Sequence, residues 1–111
     1  MDTAINKVVT SYAHIVHSRY NPKAIYLYGS QAKGTANMHS DIDIAVVVGP
    51  MDADEYVDTF AGLFSIASDF DCNIEPNLLI DDGEYNRYSF LAEIVETGRL
   101  VNVETACKGD D

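Results

Sequence analysis

Three shortages bound what this chain can be. It has two cysteines, Cys72 and Cys107, far apart and with no CxxC pair or neighbouring histidine. They read as free thiols in a reducing compartment, not as zinc ligands. It has seven lysines and arginines against eighteen acids, a formal net charge of −11, and the seven are scattered without a basic stripe. Such a chain repels a phosphate backbone unless cations intervene, which argues against a general nucleic-acid binder. No apolar run approaches the roughly 20 residues that span a bilayer. The first twenty residues lack a charged leader, a long apolar stretch and a cleavage site. The expectation is a cytoplasmic protein that does not enter a membrane.

What is present is enough for one domain: 111 residues, 47% of them hydrophobic. Residues 3–19 place Ile5, Val8, Val9, Tyr12, Ile15 and Val16 at helical spacing, and Asn21-Pro22 stops the helix. AIYLY at 24–28 reads as a short buried strand ended by Gly29, followed by small polar loop residues over 30–40. DIDIAVVV at 41–48 is a second strand whose apolar half is continuous, as in strands covered on both faces. Asp52 or Asp54 caps a helix to about 68, with Val57, Phe60, Ala61, Phe64 and Ala67 inward. Residues 72–80 form a third strand in which Pro76 signals an edge or a bulge. Asp81 or Asp82 then caps a helix over about 84–97, with Tyr85, Tyr88, Leu91 and Val95 inward and Gly98 as its stop. A last short strand is expected over 100–103.

This order predicts an α/β (α+β) fold, a mixed central sheet with helices packed against it. The link between the first two strands is too short for a comfortable parallel crossover, so that pair is expected to be antiparallel. Residues 1–104 make up the domain, and 105–111 are expected to be a disordered tail.

Three features carry chemistry: Gly29-Ser30 at a strand end, Asp41-Ile42-Asp43 opening the next strand, and Glu75 in the third. Side chains at i and i+2 of a strand share a face, so Asp41 and Asp43 stand side by side while Ile42 and Ile44 point the other way. Two adjacent carboxylates repel unless a cation lies between them. Hard oxygen donors suit Mg²⁺, which takes one or two carboxylates plus substrate phosphates. An isolated DxD is also common as a solvated strand entrance, and a Gly after a strand is usually a turn. The combination is more specific than its parts.

Gly-Ser, ten residues, then Asp-x-Asp at a strand start (GSQAKGTANMHSDID) resembles the DNA polymerase β-like nucleotidyltransferase superfamily. It is most similar to the minimal nucleotidyltransferase (MNT) proteins, including antitoxin partners of HEPN-domain toxins. The resemblance covers most of residues 3–103 and implies a polymerase β-like nucleotidyltransferase fold. It implies that Gly29 and Ser30 bind the triphosphate of an incoming NTP, with Lys33 in reach, and that Asp41 and Asp43 hold Mg²⁺. A third carboxylate on a neighbouring strand would complete the catalytic metal site. Glu75 is the best placed for it, although the usual residue is Asp, and Asp71 shares its strand parity. The activity implied is transfer of a nucleoside monophosphate, AMP from ATP, to an acceptor hydroxyl on a partner such as a HEPN toxin. Two other readings stay open: an MNT-like module that neutralises its partner by binding alone, and a small-molecule transferase with an acceptor site built by a homo-oligomer.

Overall fold

The computed structural model describes residues 3–29, 41–70, 73–83 and 89–101. In chain order the elements are α1 (Thr3–Tyr20), β1 (Ala24–Tyr28), β2 (Ile42–Val48), α2 (Ala53–Ala67), β3 (Ile74–Ile80), α3 (Phe90–Thr97) and β4 (Arg99–Leu100). The four strands form one mixed sheet in the order β3-β2-β1-β4. β1 is antiparallel to β2 and to β4, whereas β2 and β3 run parallel over seven residues from Ile42↔Ile74 to Val48↔Ile80. The parallel pair is the one joined through a helix, α2, as a parallel connection requires.

The main core lies on one face of this sheet. Ile42, Ile44, Val46 and Val48 of β2 point there, with Ile25 and Leu27 of β1 and Ile74 and Leu78 of β3. α1 closes over them with Val9, Tyr12, Ala13 and Val16, and α2 with Leu63, Ile66 and Ala67. Tyr12 is fully buried between the two helices, and its hydroxyl donates to the Leu63 carbonyl at 2.9 Å. On the other face Ala45 and Val47 of β2 are buried too, which is why the apolar half of DIDIAVVV does not alternate. α3 packs on β1, with Phe90 set edge-on against Tyr28.

The helix ends follow local chemistry. α1 stops at Asn21, whose φ of +48° is left-handed and whose N–H reaches the His17 carbonyl at 3.0 Å. Of the two candidate caps for α2, Asp52 is the N-cap, accepting from the Glu55 N–H at 2.8 Å, while Asp54 sits in the first turn. Removing that acceptor leaves an orphan N–H at an exposed helix end. Asp52→Ala is therefore expected to lower unfolding free energy by about 1 kcal/mol, read as a shifted urea midpoint at constant slope.

The inward stripe of α2 differs from expectation. Val57 is 63% and Phe64 44% exposed, and Ala61 faces solvent; the buried side carries Thr59, Leu63, Ile66 and Ala67, with Tyr56 and Phe60 partly covered. α2 has apolar residues on two sides, so its periodicity admits two solutions and packing selects one. α3 is also turned: Ala92 and Ile94 are buried, whereas Val95 is exposed. Its N-cap is Ser89, accepting from the Ala92 N–H at 3.1 Å, and not Asp81 or Asp82. Asp81 instead accepts from the Gly83 N–H in a local turn. Tyr85 and Tyr88 lie outside the described residues. Gly98 ends α3 as expected, where a Cβ would meet the Ile94 carbonyl oxygen at 2.6 Å. β4 starts at Arg99 and Val101 continues the contact, its N–H on the Ile25 carbonyl at 2.8 Å; residues 102 and 103 are outside the described set. Pro76 sits on β3, an edge strand, as its missing N–H predicts. Among the described residues no helix is long and apolar enough to cross a membrane.

Candidate functional site

Strand register assembles the acidic residues. Asp43 is the Cα partner of Tyr28 on one side and of Glu75 on the other. In-register residues of neighbouring strands point to the same face, so Tyr28, Asp43 and Glu75 form a row across three strands, on the face opposite the main core. Asp41 immediately precedes β2. Its Oδ1 accepts from the Asn73 side-chain amide, while the Asn73 carbonyl takes the Ile42 N–H at 2.8 Å. Asn73 thus ties the start of β2 to the start of β3 and fixes one oxygen of Asp41.

Gly29 joins the two halves of the motif. Its φ is +72°, and a Cβ placed there would lie 2.4 Å from Asp43 Oδ2. The carboxylate rests where only a glycine leaves room. Gly29→Ala is therefore expected to cost about 1–3 kcal/mol, through left-handed strain and displacement of Asp43. In a double-mutant cycle, Asp43→Ala should recover the steric part and leave only the backbone part, measured by urea unfolding of all four proteins.

The electrostatics match this crowding. Burial raises the Asp43 carboxyl above the ordinary aspartate range, and the neighbouring charge of Asp41 raises it further. Neither aspartate forms an ion pair with a described lysine or arginine. Two adjacent carboxylates, one of them partly desolvated, make a donor set suited to a hard divalent cation. Glu75 stands beside them on the exposed edge strand. Among the described residues no three His, Cys, Asp or Glu side chains converge tightly enough to hold a metal on their own.

Two further polar residues belong to this face: Tyr28, read from the sequence as a core or sheet-face aromatic, and Asn77, which the sequence did not single out. Tyr28 accepts from the Asn77 side-chain amide, reaching across β2, and Phe90 meets its ring edge-on at 5.6 Å. Burial raises the Tyr28 phenol; the Asn77 hydrogen bond opposes this, and the Asp43 and Glu75 charges add to it. The available signal was parity, since Asn77 lies two residues beyond Glu75. Their pairing depends on a register that one sequence does not show. Of the expected nucleotide-binding residues, Gly29 lies at the end of β1 against Asp43, whereas Ser30 and Lys33 lie outside the described residues. So does Asp71, the rival to Glu75.

The family model for polymerase β nucleotidyltransferases matches residues 11–104. The chain is similar to a solved protein from Sulfolobus solfataricus described as a candidate nucleotidyltransferase. The TM-score is 0.58 at 20% identity, over 86% of this chain and 77% of that one, a likeness of fold. It is also similar to a chain of a toxin–antitoxin crystal structure determined with AMP-PNP. Here the TM-score is 0.52 at 25% identity, over 84% of this chain and 72% of that one. No curated protein matches significantly. The matched span contains Gly29, Asp41, Asp43 and Glu75, and the chain belongs to the polymerase β-like nucleotidyltransferase family.

Proposed function

We propose that this protein transfers AMP from ATP to a hydroxyl of a partner protein of the HEPN-toxin kind, acting as an antitoxin in the cytoplasm. The observation that carries the reading is the packing of the Asp43 carboxylate on left-handed Gly29, with Asp41 beside it. On this reading a turn that would bind phosphate lies directly against a pair that would hold the cation. Asp41 and Asp43 would hold Mg²⁺, with Glu75 as third carboxylate; Gly29, Ser30 and Lys33 would bind the triphosphate. Bound Mg²⁺ supplies charge neutralisation at the reacting phosphate. The chain's own groups do the positioning. Asn73 fixes one oxygen of Asp41, Gly29 fixes the direction of Asp43, and the exposed Glu75 carboxylate, in register with Asp43, would take the acceptor hydroxyl's proton. The net charge of −11 disfavours a nucleic-acid acceptor, and the toxin–antitoxin neighbour favours a protein.

A binding module without catalysis is the second reading, favoured because no three His, Cys, Asp or Glu side chains among the described residues are grouped to hold a metal. Incubation with Mg²⁺ and α-³²P-labelled ATP, with and without host lysate, separates the two. Label on a protein band with the native chain, and none with Asp41→Asn/Asp43→Asn, supports transfer. Stabilisation by Mg²⁺ and ATP without any transfer supports the binding module.

A further inference from the structure

The part of the chain that builds β2, α2 and β3 contains no lysine or arginine. From residue 34 to residue 86 there are 12 of the 18 acids, and all seven basic residues lie outside that span. The same region exposes an apolar stripe. Val57 and Phe64, 63% and 44% exposed, lie seven residues apart and therefore on one side of α2, about 10 Å from each other. Between them Phe60 stacks on Tyr56 at 6.2 Å and meets Phe64 edge-on at 5.1 Å. The stripe runs into an open cavity of about 210 Å³ between the end of α2 and the start of β3. Phe64, Phe70 and Ile74 give that cavity apolar walls, and Asn73 and Glu75 line it where it meets the candidate site. Exposed Asp54, Asp58 and Asp69 accompany the stripe along its length.

We propose that this stripe and cavity are the docking surface for a basic amphipathic helix of a partner protein. Its apolar face would seat on Val57, Phe60 and Phe64, and its lysines or arginines would pair with Asp54, Asp58 and Asp69. Charge complementarity selects the occupant. A second copy in a two-fold dimer would set this acidic face against itself, and an anionic membrane or nucleic acid would be repelled. Shape favours a helix: Val57, Phe60 and Phe64 form a narrow apolar ridge along α2 of the kind another helix packs against, and Pro76 makes the adjacent strand edge a poor template for strand addition. Asn73 and Glu75 line the rim of the cavity, so a docked partner reaches the border of the candidate site. This identification of the partner as acceptor rests on the proposed function; the docking itself does not.

The test measures fluorescence anisotropy of three labelled 14-residue peptides with the full chain, without nucleotide: a helical Leu/Lys peptide, a Ser/Lys peptide of equal charge, and a Leu/Glu peptide. The Leu/Lys peptide is expected to bind at least tenfold more tightly than Ser/Lys, and the Leu/Glu peptide not to bind. Val57→Ser/Phe64→Ser should erase the tenfold advantage, while Val95→Ser/Leu100→Ser, at exposed apolar positions elsewhere, should keep it. Equal binding of Leu/Lys and Ser/Lys, binding of Leu/Glu, or an advantage that survives Val57→Ser/Phe64→Ser overturns the proposal. So does a homodimer that this double variant dissolves. With no nucleotide present and no acceptor hydroxyl on the Leu/Lys peptide, this result is independent of nucleotidyl transfer: docking here, with no label transferred in the lysate assay, sinks the enzymatic reading and leaves the surface standing.

Discussion

Asp41→Asn with Asp43→Asn is expected to reduce nucleotidyl transfer at least about a thousandfold, the several kcal/mol that a bound cation contributes to phosphoryl chemistry. The fold should survive. The replacement is nearly isosteric, and an amide at position 41 can still accept from Asn73. At position 43 the exchange relieves an existing penalty. Because burial and Asp41 raise the Asp43 carboxyl, the charged form is disfavoured in the folded state. For a raised acid that penalty is present above the folded value and fades as pH falls toward the unfolded one. In EDTA the double variant should therefore be at least as stable as the native chain near neutrality. The native chain should gain on it as the medium is acidified. With Mg²⁺ and ATP the order is expected to reverse, because on the proposed reading only the native chain binds a ligand that prefers the folded state. Thermal scans from neutral to acid pH, with EDTA or with Mg²⁺ and ATP, read both effects. A collapsed melting temperature of the variant in EDTA would mark the aspartates as structural.

The second large effect is on stability. Tyr12→Ala should cost about 3–5 kcal/mol, as for other large aromatic truncations in cores, a major share of a domain's typical 5–15 kcal/mol. Tyr12 has no exposed surface, its ring lies 6.0 Å from that of Phe70, and its hydroxyl donates across the gap between α1 and α2. Burial also lifts its phenol well above the ordinary value, so it stays a neutral donor throughout the working pH range. Tyr12→Phe keeps the ring and leaves the Leu63 carbonyl without its partner, for about 1–3 kcal/mol. Denaturant unfolding of both variants separates packing from hydrogen bonding. Equal losses would mean that the hydroxyl carries the whole effect.

Much of this architecture was legible because local chemistry and global packing agree. The short link between β1 and β2 forces an antiparallel pair, Pro76 marks an edge, and the i, i+2 spacing places Asp41 and Asp43 together. Where two local patterns compete, one sequence offers no arbiter. α2 carries inward candidates both along Thr59, Leu63 and Ile66 and along Val57, Phe60 and Phe64, and packing against β3 and α1 decides which stripe faces in. The aromatic residues look like the stronger core signal, yet the smaller Leu63, Ile66 and Ala67 are the ones fully taken into the core. Non-local partnerships were out of reach for a different reason. Asn73 with Asp41 and Asn77 with Tyr28 depend on the parallel register of β2 with β3, set by packing along both strands. The candidate site was therefore readable in its carboxylates and silent in the amides that steady them.

The two borders of the sheet have a consequence for behaviour at high concentration. One border is β3, interrupted by a residue that cannot donate; the other, among the described residues, is a two-residue strand. Neither offers the long, regular row of unpaired amides on which chains stack into fibres. A molecule this acidic and this poorly templated should concentrate without polymerising. Restoring a donor with Pro76→Val would remove one of those safeguards before it changed the fold.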